Sequence, residues 1–327
     1  SRSKSDMGTV YFTDQQLLGT EHSPRRGVLA GEVHLGTGWE AWRPAGVVVS
    51  NAFVRFRPGP APLSVAGDFL VYGMAECAFG GGTYAWTNCL GRLPYTLGTG
   101  PAVRIEGDLV LANDAANSTG SRRCEFQILA GDRCGADVVA GVEYGYGARL
   151  EIGGELKIGK YAYFVPVCHA NDGWGAKVTA RTATVDAGGF IDAKARGYTG
   201  VPQQNWFGAG PGGGRCAGGG GSYGGYGGAS SQATRAPLYG EEDPAHPLRC
   251  GSGAGWYSAQ GPGQRPGAGG GLVWLEVRQA LSVNGTVRAD GGRTNDGING
   301  ETGGFGDHNG GGSGGGVYLR CKTWNPG

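Results

Sequence analysis

The chain contains short stretches in which apolar and polar residues alternate on both sides of a single glycine. In "LSVNGTVRA", residues 281–289, every second position is apolar and the glycine stands in the middle. Alternation with a period of two is typical of β-strands that bury one face. The same template occurs five times in the sequence. Its central residues are Gly67, Gly107, Gly154, Gly189 and Gly285.

A sixth copy of the template, residues 47–55, has Asn51 at the central position. Gly and Asn are the residues that most readily adopt positive φ, so the template predicts a strand, a sharp corner and a second strand. A two-residue hairpin would instead place a pair such as Asn-Gly between its strands. A single central residue keeps the inward positions in phase, which favours a chain that continues to wind in one direction.

The central glycines from Gly67 to Gly189 recur roughly every 40 residues, a spacing that indicates a repeat architecture. We therefore expect an all-β fold, a right-handed parallel β-helix (solenoid) with its apolar positions stacked inside. Helices are not expected, because nearly every stretch of 12 residues contains Gly or Pro. The prediction is one β-helix over residues 1–327, with N-terminal coils in 1–183 and C-terminal coils in 184–327.

Glycine makes up 70 of the 327 residues and is concentrated in two segments, 208–228 and 303–316. Such tracts are ordinarily flexible linkers. We instead expect the insert at 196–271 to pack as extended, polyproline-II-like glycine segments that bond to one another through their backbones.

The C-terminal part contains three elements in a fixed order within residues 184–321. The tract "GGGGSYGGYGG" is followed by "GLVWLEVRQALSVNGTVRADGG" and then by "GGGSGGGVYLRC". In this order the elements resemble the glycine-rich β-helix modules of large eukaryotic secreted or cell-surface proteins. The resemblance implies an extracellular structural or adhesive role, and it assigns no catalytic residues.

Charge and hydropathy narrow the range of partners. The 28 Lys and Arg residues nearly balance the 27 Asp and Glu residues, for a net charge of +1. This balance predicts no nucleic-acid partner. The apolar stretches are far shorter than the ~20 residues of a membrane-spanning helix, so no membrane insertion is expected. The sequence predicts no cofactor, metal ligand or catalytic residue.

The eight cysteines lack the spacing of a zinc site and are expected to form disulfides. Three predicted pairs each bracket a loop or an insert, and the fourth follows by elimination. These pairs are Cys77–Cys89, Cys124–Cys134, Cys216–Cys250 and, last, Cys168–Cys321. Disulfides indicate an oxidising compartment. The sequons at Asn117 and Asn284 predict N-glycosylation, and together these features place the protein outside the cell or on its surface.

Parallel β-helices also support polysaccharide lyases and hydrolases, which need paired carboxylates. Asp68, Asp108 and Glu155 each follow a central glycine, so they would form an acidic column if the units stack. The ordinary interpretation is that they are solvent-facing turn residues. His169 is likewise expected to be a structural histidine rather than a catalyst.

We therefore predict a non-enzymatic extracellular structural or adhesive glycoprotein, a building block of a cell-surface or matrix filament. Its expected partners are other copies of itself, joined end to end or laterally, and glycans. Open strand edges at the ends of a solenoid favour such pairing. The alternative is a carbohydrate-binding or polysaccharide-cleaving enzyme that uses the acidic column.

Overall fold

The computed structural model describes fourteen ranges of the chain. They are 21–22, 29–34, 43–50, 52–57, 62–81, 96, 98–113, 124–200, 207–215, 218–229, 235–240, 245–256, 266–293 and 310–326. These ranges contain twenty β-strands and no helix. In chain order the strands are β1 (Glu21–His22), β2 (Leu29–His34), β3 (Val47–Ser50), β4 (Ala52–Arg57), β5 (Leu63–Val65), β6 (Phe69–Tyr72), β7 (Glu76–Phe79), β8 (Ala102–Ile105), β9 (Leu109–Ala112), β10 (Cys124–Leu129), β11 (Gly135–Val139), β12 (Val142–Ile152), β13 (Glu155–Ile158), β14 (Ala162–Val167), β15 (Gly175–Ala180), β16 (Thr182–Val185), β17 (Phe190–Asp192), β18 (Leu272–Val283), β19 (Thr286–Arg288) and β20 (Gly316–Pro326).

The strands form two sheets, and nearly all of their pairings are parallel. The larger sheet has thirteen strands and runs β1-β3-β6-β9-β13-β16-β18-β15-β12-β8-β5, with β11 added to β12 and β20 added to β18. The smaller sheet has seven strands in the order β19-β17-β14-β10-β7-β4-β2. Within the described ranges only β11 and β12 pair in the antiparallel sense.

The two strands of each template copy do not pair with each other. β5 pairs with β8, and β6 pairs with β9, so these strands join the equivalent strands of the next unit. The first strands of two other copies, β3 and β16, pair instead with the second strands β6 and β13 of their neighbours. Period-two alternation decides which side chains face the core. On β9, for example, Leu109 and Leu111 are fully buried whereas Val110 is only half-buried.

The main core lies between the two sheets and contains a column of aromatic rings. The rings of Phe56 and Phe79 are stacked with centroids 4.8 Å apart, and Phe79 lies 5.3 Å from Phe126. Phe126 stacks in turn on Phe164 at 5.7 Å. These four residues come from β4, β7, β10 and β14, which are consecutive neighbours in the smaller sheet. Parallel pairing in register stacks Phe56 on Phe79 and Phe126 on Phe164, whereas Phe79 and Phe126 meet although their partners in the register are Ile128 and Cys77.

The predicted fold class, a right-handed parallel β-helix or solenoid, is wrong. The chain is all-β with parallel strands, but thirteen strands belong to one continuous, nearly closed, barrel-like sheet, with a second parallel sheet beside it. The long strand β18 explains the difference. Its first half pairs with β15 and its second half pairs with β16, so it joins the two arms of the larger sheet. Local alternation reports which face of a strand is buried, but it does not show that one strand spans both arms.

Glycine-rich segments between β17 and β18 pack closely through their backbones. The N–H of Gly197 donates to the carbonyl of Gly269 at 2.8 Å, and the N–H of Gly214 donates to that of Gly253 at 2.8 Å. A Cβ added at Gly269 would lie only 1.9 Å from the carbonyl oxygen of Gly251. Glycine is therefore required here because neighbouring backbones occupy the space of a side chain.

Candidate functional site

The predicted acidic column is present as a ladder of hydrogen bonds between neighbouring turns. Asp68 Oδ1 accepts the backbone N–H of Asp108 at 2.8 Å, and Asp108 Oδ1 accepts the N–H of Glu155 at 2.7 Å. Glu155 Oε1 accepts the hydroxyl of Thr184 at 2.5 Å. The sequence thus predicted that these three acidic residues lie next to one another. The role that the contacts show is a structural one, since Asp68 and Asp108 each bind the backbone of the next turn and Glu155 binds a side chain of the neighbouring strand β16.

The central glycines of the template serve a different purpose from the predicted one. None of Gly67, Gly107, Gly154, Gly189 and Gly285 has positive φ. A Cβ added at Gly154 would lie 1.9 Å from Asp108 Oδ1, and one added at Gly285 would lie 2.3 Å from the carbonyl oxygen of Gly189. The turns stack too closely for a side chain. Asn51 lies outside the described residues.

The six described cysteines are free thiols: Cys77, Cys124, Cys134, Cys168, Cys250 and Cys321. The predicted pair Cys124–Cys134 is wrong, because the buried Cys124 thiol donates to the carbonyl of Val71 at 3.2 Å while Cys134 is exposed.

The pair Cys168–Cys321 is also wrong. Cys168 belongs to a second apolar cluster with Cys250 and Trp274, whereas Cys321 packs against the main core. The other two predicted pairs each include a residue outside the described ranges, Cys89 in one case and Cys216 in the other.

The sequon at Asn284 lies on the turn between β18 and β19. Asn284 and Thr286 are both exposed, and the N–H of Asn284 donates to the carbonyl of Val185 at 2.8 Å. The side chain is therefore accessible for glycosylation on an ordered turn. The second predicted site, Asn117, lies outside the described residues.

Strand β20 forms an open edge of the larger sheet. It pairs with β18 along most of its length, and it has no second neighbour among the described strands. Four of its apolar side chains lie opposite residues of β18 that belong to the main core, and so lie on the side of β20 that faces this core. They are Val317, Leu319, Cys321 and Trp324, opposite Val273, Leu275, Val277 and Leu281.

The burial of these two strands differs sharply. Leu281 is fully buried, yet Trp324 opposite it is 49% exposed, and Val317 is 38% exposed although Val273 opposite it is 2% exposed. Leu319 and Cys321 are only partly buried against the core. The apolar core thus reaches the surface along β20. Local alternation in "VYLRC", residues 317–321, could have indicated the inward face of that part of β20, but not the position of Trp324 after the register shift, nor that no described strand covers the face.

The sequence analysis did not identify a further group of possible metal ligands, which consists of Asp132, His169 and Asp172. One donor atom from each residue lies within 4.8 Å of the others. Asp132 and His169 follow different strands, β10 and β14, so their sequence separation gave no signal. The only local signal was the carboxylate three residues after the histidine in "HANDG".

Within the described ranges we find no helix with the length and hydrophobicity that crossing a membrane would require. Comparisons of the chain with protein-family models, with curated proteins and with solved structures found no match.

Proposed function

We propose that the protein is a non-enzymatic structural or adhesive module that associates with copies of itself through the open edge at β20. The observation that carries the proposal is the exposure of core-facing apolar side chains on that strand, above all Trp324 and Val317. Exposed edge strands are templates for pairing with another chain, and burial of their apolar side chains stabilises the contact. We expect a second copy to cover them.

A head-to-tail arrangement fits the strand directions. In the described residues β1, β2 and β5 also have one strand neighbour each. In the strand order, β1 and β5 are the farthest from β18 in the larger sheet, and β2 is the farthest from β19 in the smaller sheet. Because the paired strands at both ends are parallel, a second copy in the same orientation continues the parallel pairing. Such heterologous contacts do not close on themselves, so association is expected to extend beyond a dimer.

Sedimentation velocity over a range of concentrations tests this proposal. We expect the full chain to associate and the variant Trp324→Lys to remain monomeric, because an inward-pointing lysine blocks edge pairing. Thr323→Lys is the matched control, since Thr323 is exposed and adjacent but belongs to the opposite face of β20. Its association should match that of the unsubstituted chain. A chain that is monomeric at all concentrations, or equal losses in both variants, would contradict the proposal.

We also propose that this role is extracellular and that Asn284 carries a glycan. Support comes from the exposure of Asn284 and Thr286 on the turn between β18 and β19. Peptide mass spectrometry after expression through a eukaryotic secretory pathway should find a glycan on Asn284, and Thr286→Ala should abolish it. Secreted protein with unmodified Asn284 would refute the assignment of this site.

The alternative of a carbohydrate-active enzyme remains a prediction. Asp68 and Asp108 hold the backbone of neighbouring turns, and no observation in the described residues gives them a catalytic role.

A further inference from the structure

Three side chains that can bind a metal ion converge beside the ends of β10 and β14. The Nδ1 atom of His169 lies 3.0 Å from Asp172 Oδ2, and its Nε2 atom lies 4.0 Å from Asp132 Oδ1. One donor atom from each of the three residues lies within 4.8 Å of the other two. The group combines a single imidazole with two carboxylates, and its members come from two separate parts of the chain.

The backbone around this group is held by several hydrogen bonds. The N–H of Gly173 donates to the carbonyl of His169 at 2.8 Å, and the N–H of His169 donates to that of Trp174 at 2.8 Å. The hydroxyl of Tyr198 donates to the carbonyl of Asp172 at 3.0 Å. On the other side, the N–H of Asp132 donates to the carbonyl of Gly98 at 2.8 Å. The Cα positions of the three residues are therefore fixed before any ion binds.

Burial divides the three side chains into one rigid and two adjustable donors. The side chain of His169 is 6% exposed, whereas those of Asp132 and Asp172 are 61% and 50% exposed. Two donors that share an ion at about 2.1 Å each lie no more than about 4.2 Å apart. The present separations of up to 4.8 Å thus require only a small rotation of the exposed carboxylates.

Within the described ranges the charge of the group is not balanced by a basic side chain. In the described residues neither Asp132 nor Asp172 forms an ion pair with Lys or Arg. The neighbouring Arg133 pairs with Glu143 and lies over the ring of Trp174. The Nδ1 atom of His169 accepts the backbone N–H of Asp172 at 3.1 Å, so Nδ1 is the unprotonated nitrogen, and an ion bound there would replace this hydrogen bond. A neutral imidazole can coordinate a metal and leaves the negative charge of the carboxylates for a cation.

We propose that Asp132, His169 and Asp172 bind one divalent transition-metal ion of the Zn²⁺ type through one imidazole nitrogen and one oxygen of each carboxylate. The mixed nitrogen and oxygen donors select this class, because an all-oxygen set suits Ca²⁺ and Mg²⁺ whereas imidazole suits Zn²⁺. Three protein ligands leave at least one position for water. The ion would join the segment that follows β10 to the turn that follows β14, and this proposal does not depend on the self-association proposed above.

Isothermal titration calorimetry, in which ZnCl₂ is added to the chelator-treated full chain, measures the affinity of the site for Zn²⁺. Asp132→Asn and Asp172→Asn should each weaken Zn²⁺ binding more than about tenfold, since both remove a direct ligand. Both positions are exposed, so these variants should fold. Asp290→Asn is the control, because Asp290 is an exposed carboxylate outside the group, and its binding should match that of the unsubstituted chain.

Cobalt provides a second readout that separates this site from binding at cysteine thiols. Co²⁺ should give weak visible bands typical of nitrogen and oxygen ligands, and these bands should disappear in Asp132→Asn. Absence of saturable Zn²⁺ binding, equal affinity in all the variants, or a thiolate-to-cobalt band in place of the weak bands would overturn the proposal. Tight Ca²⁺ binding without Zn²⁺ binding would overturn the assigned metal class.

Discussion

Substitution of Gly154 by alanine tests whether the central glycines are required by close stacking rather than by backbone conformation. The added Cβ would lie 1.9 Å from Asp108 Oδ1 and 2.8 Å from the carbonyl oxygen of Gly107. The carboxylate would have to move and lose its 2.7 Å hydrogen bond from the N–H of Glu155. Loss of a hydrogen bond to a charged group costs about 1.5–3 kcal/mol. Overpacking against the backbone adds about 1–3 kcal/mol.

We therefore expect Gly154→Ala to lower the free energy of unfolding by about 2.5–6 kcal/mol, the combined size of these two effects. Urea denaturation followed by circular dichroism measures this change. Gly228→Ala is the matched control, because a Cβ there meets no atom within 4 Å and Gly228 does not have positive φ. Alanine at that site should be neutral or slightly stabilising.

A double variant separates the two contributions. In Asp108→Ala/Gly154→Ala the carboxylate is absent, so only the contacts of the new Cβ with the Gly107 backbone remain. The cost of Gly154→Ala should be smaller in this background than in the unsubstituted chain. If Gly154→Ala is as stable as Gly228→Ala, the close-stacking explanation is incorrect. If removing Asp108 leaves the cost unchanged, the contact with the Asp108 carboxylate contributes nothing to it.

Two further predictions concern a buried carboxylate and two thiols that differ in exposure. Burial alone would raise the pKa of Asp192, but its bonds from Arg288 and from the Lys194 N–H outweigh burial and lower the pKa. A lowered folded-state pKa stabilises above the unfolded value of about 3.9, so this stability should be lost as the pH falls below about 4. Urea titrations at pH 7 and pH 3 should show a smaller loss in Asp192→Asn than in the unsubstituted chain. Among the thiols, Cys134 should react with iodoacetamide long before Cys124, whose pKa burial raises to about 12, and peptide mass spectrometry that finds equal labelling would contradict this order.

The sequence predicted the local features of the fold because each of them depends on neighbouring residues. Alternation around Gly67 and Gly107 identified β5, β6, β8 and β9 and their inward faces. It also indicated that the strands of one unit would pair with those of the next, which placed Asp68 beside Asp108. These inferences need only the period of a strand and the assumption that similar units stack.

The remaining features depend on contacts between distant parts of the chain. The continuity of the larger sheet rests on β18, whose pairing with both β15 and β16 has no local signature. The prediction of disulfide pairs failed for the same reason. Two cysteines that bracket a short loop do not have their side chains close together when one of them faces the core. Cys124 points inward from β10, whereas Cys134 lies beyond the end of that strand on the surface.

The proposed glycan and the proposed self-association concern the same end of the molecule. Asn284 follows β18 directly, and β20 extends along β18 until Pro326 lies opposite Val283. A second copy that covers Trp324 would therefore approach the turn that carries Asn284. A glycan occupies a large volume of solvent at its attachment site, so it should hinder this approach. We expect enzymatic removal of the glycan to strengthen association in sedimentation equilibrium, whereas Thr286→Ala protein, which carries no glycan at this site, should show no change on the same treatment. An unchanged association constant after removal would place the contact away from the β18–β19 turn and would exclude the end of β20 around Trp324 as the interface.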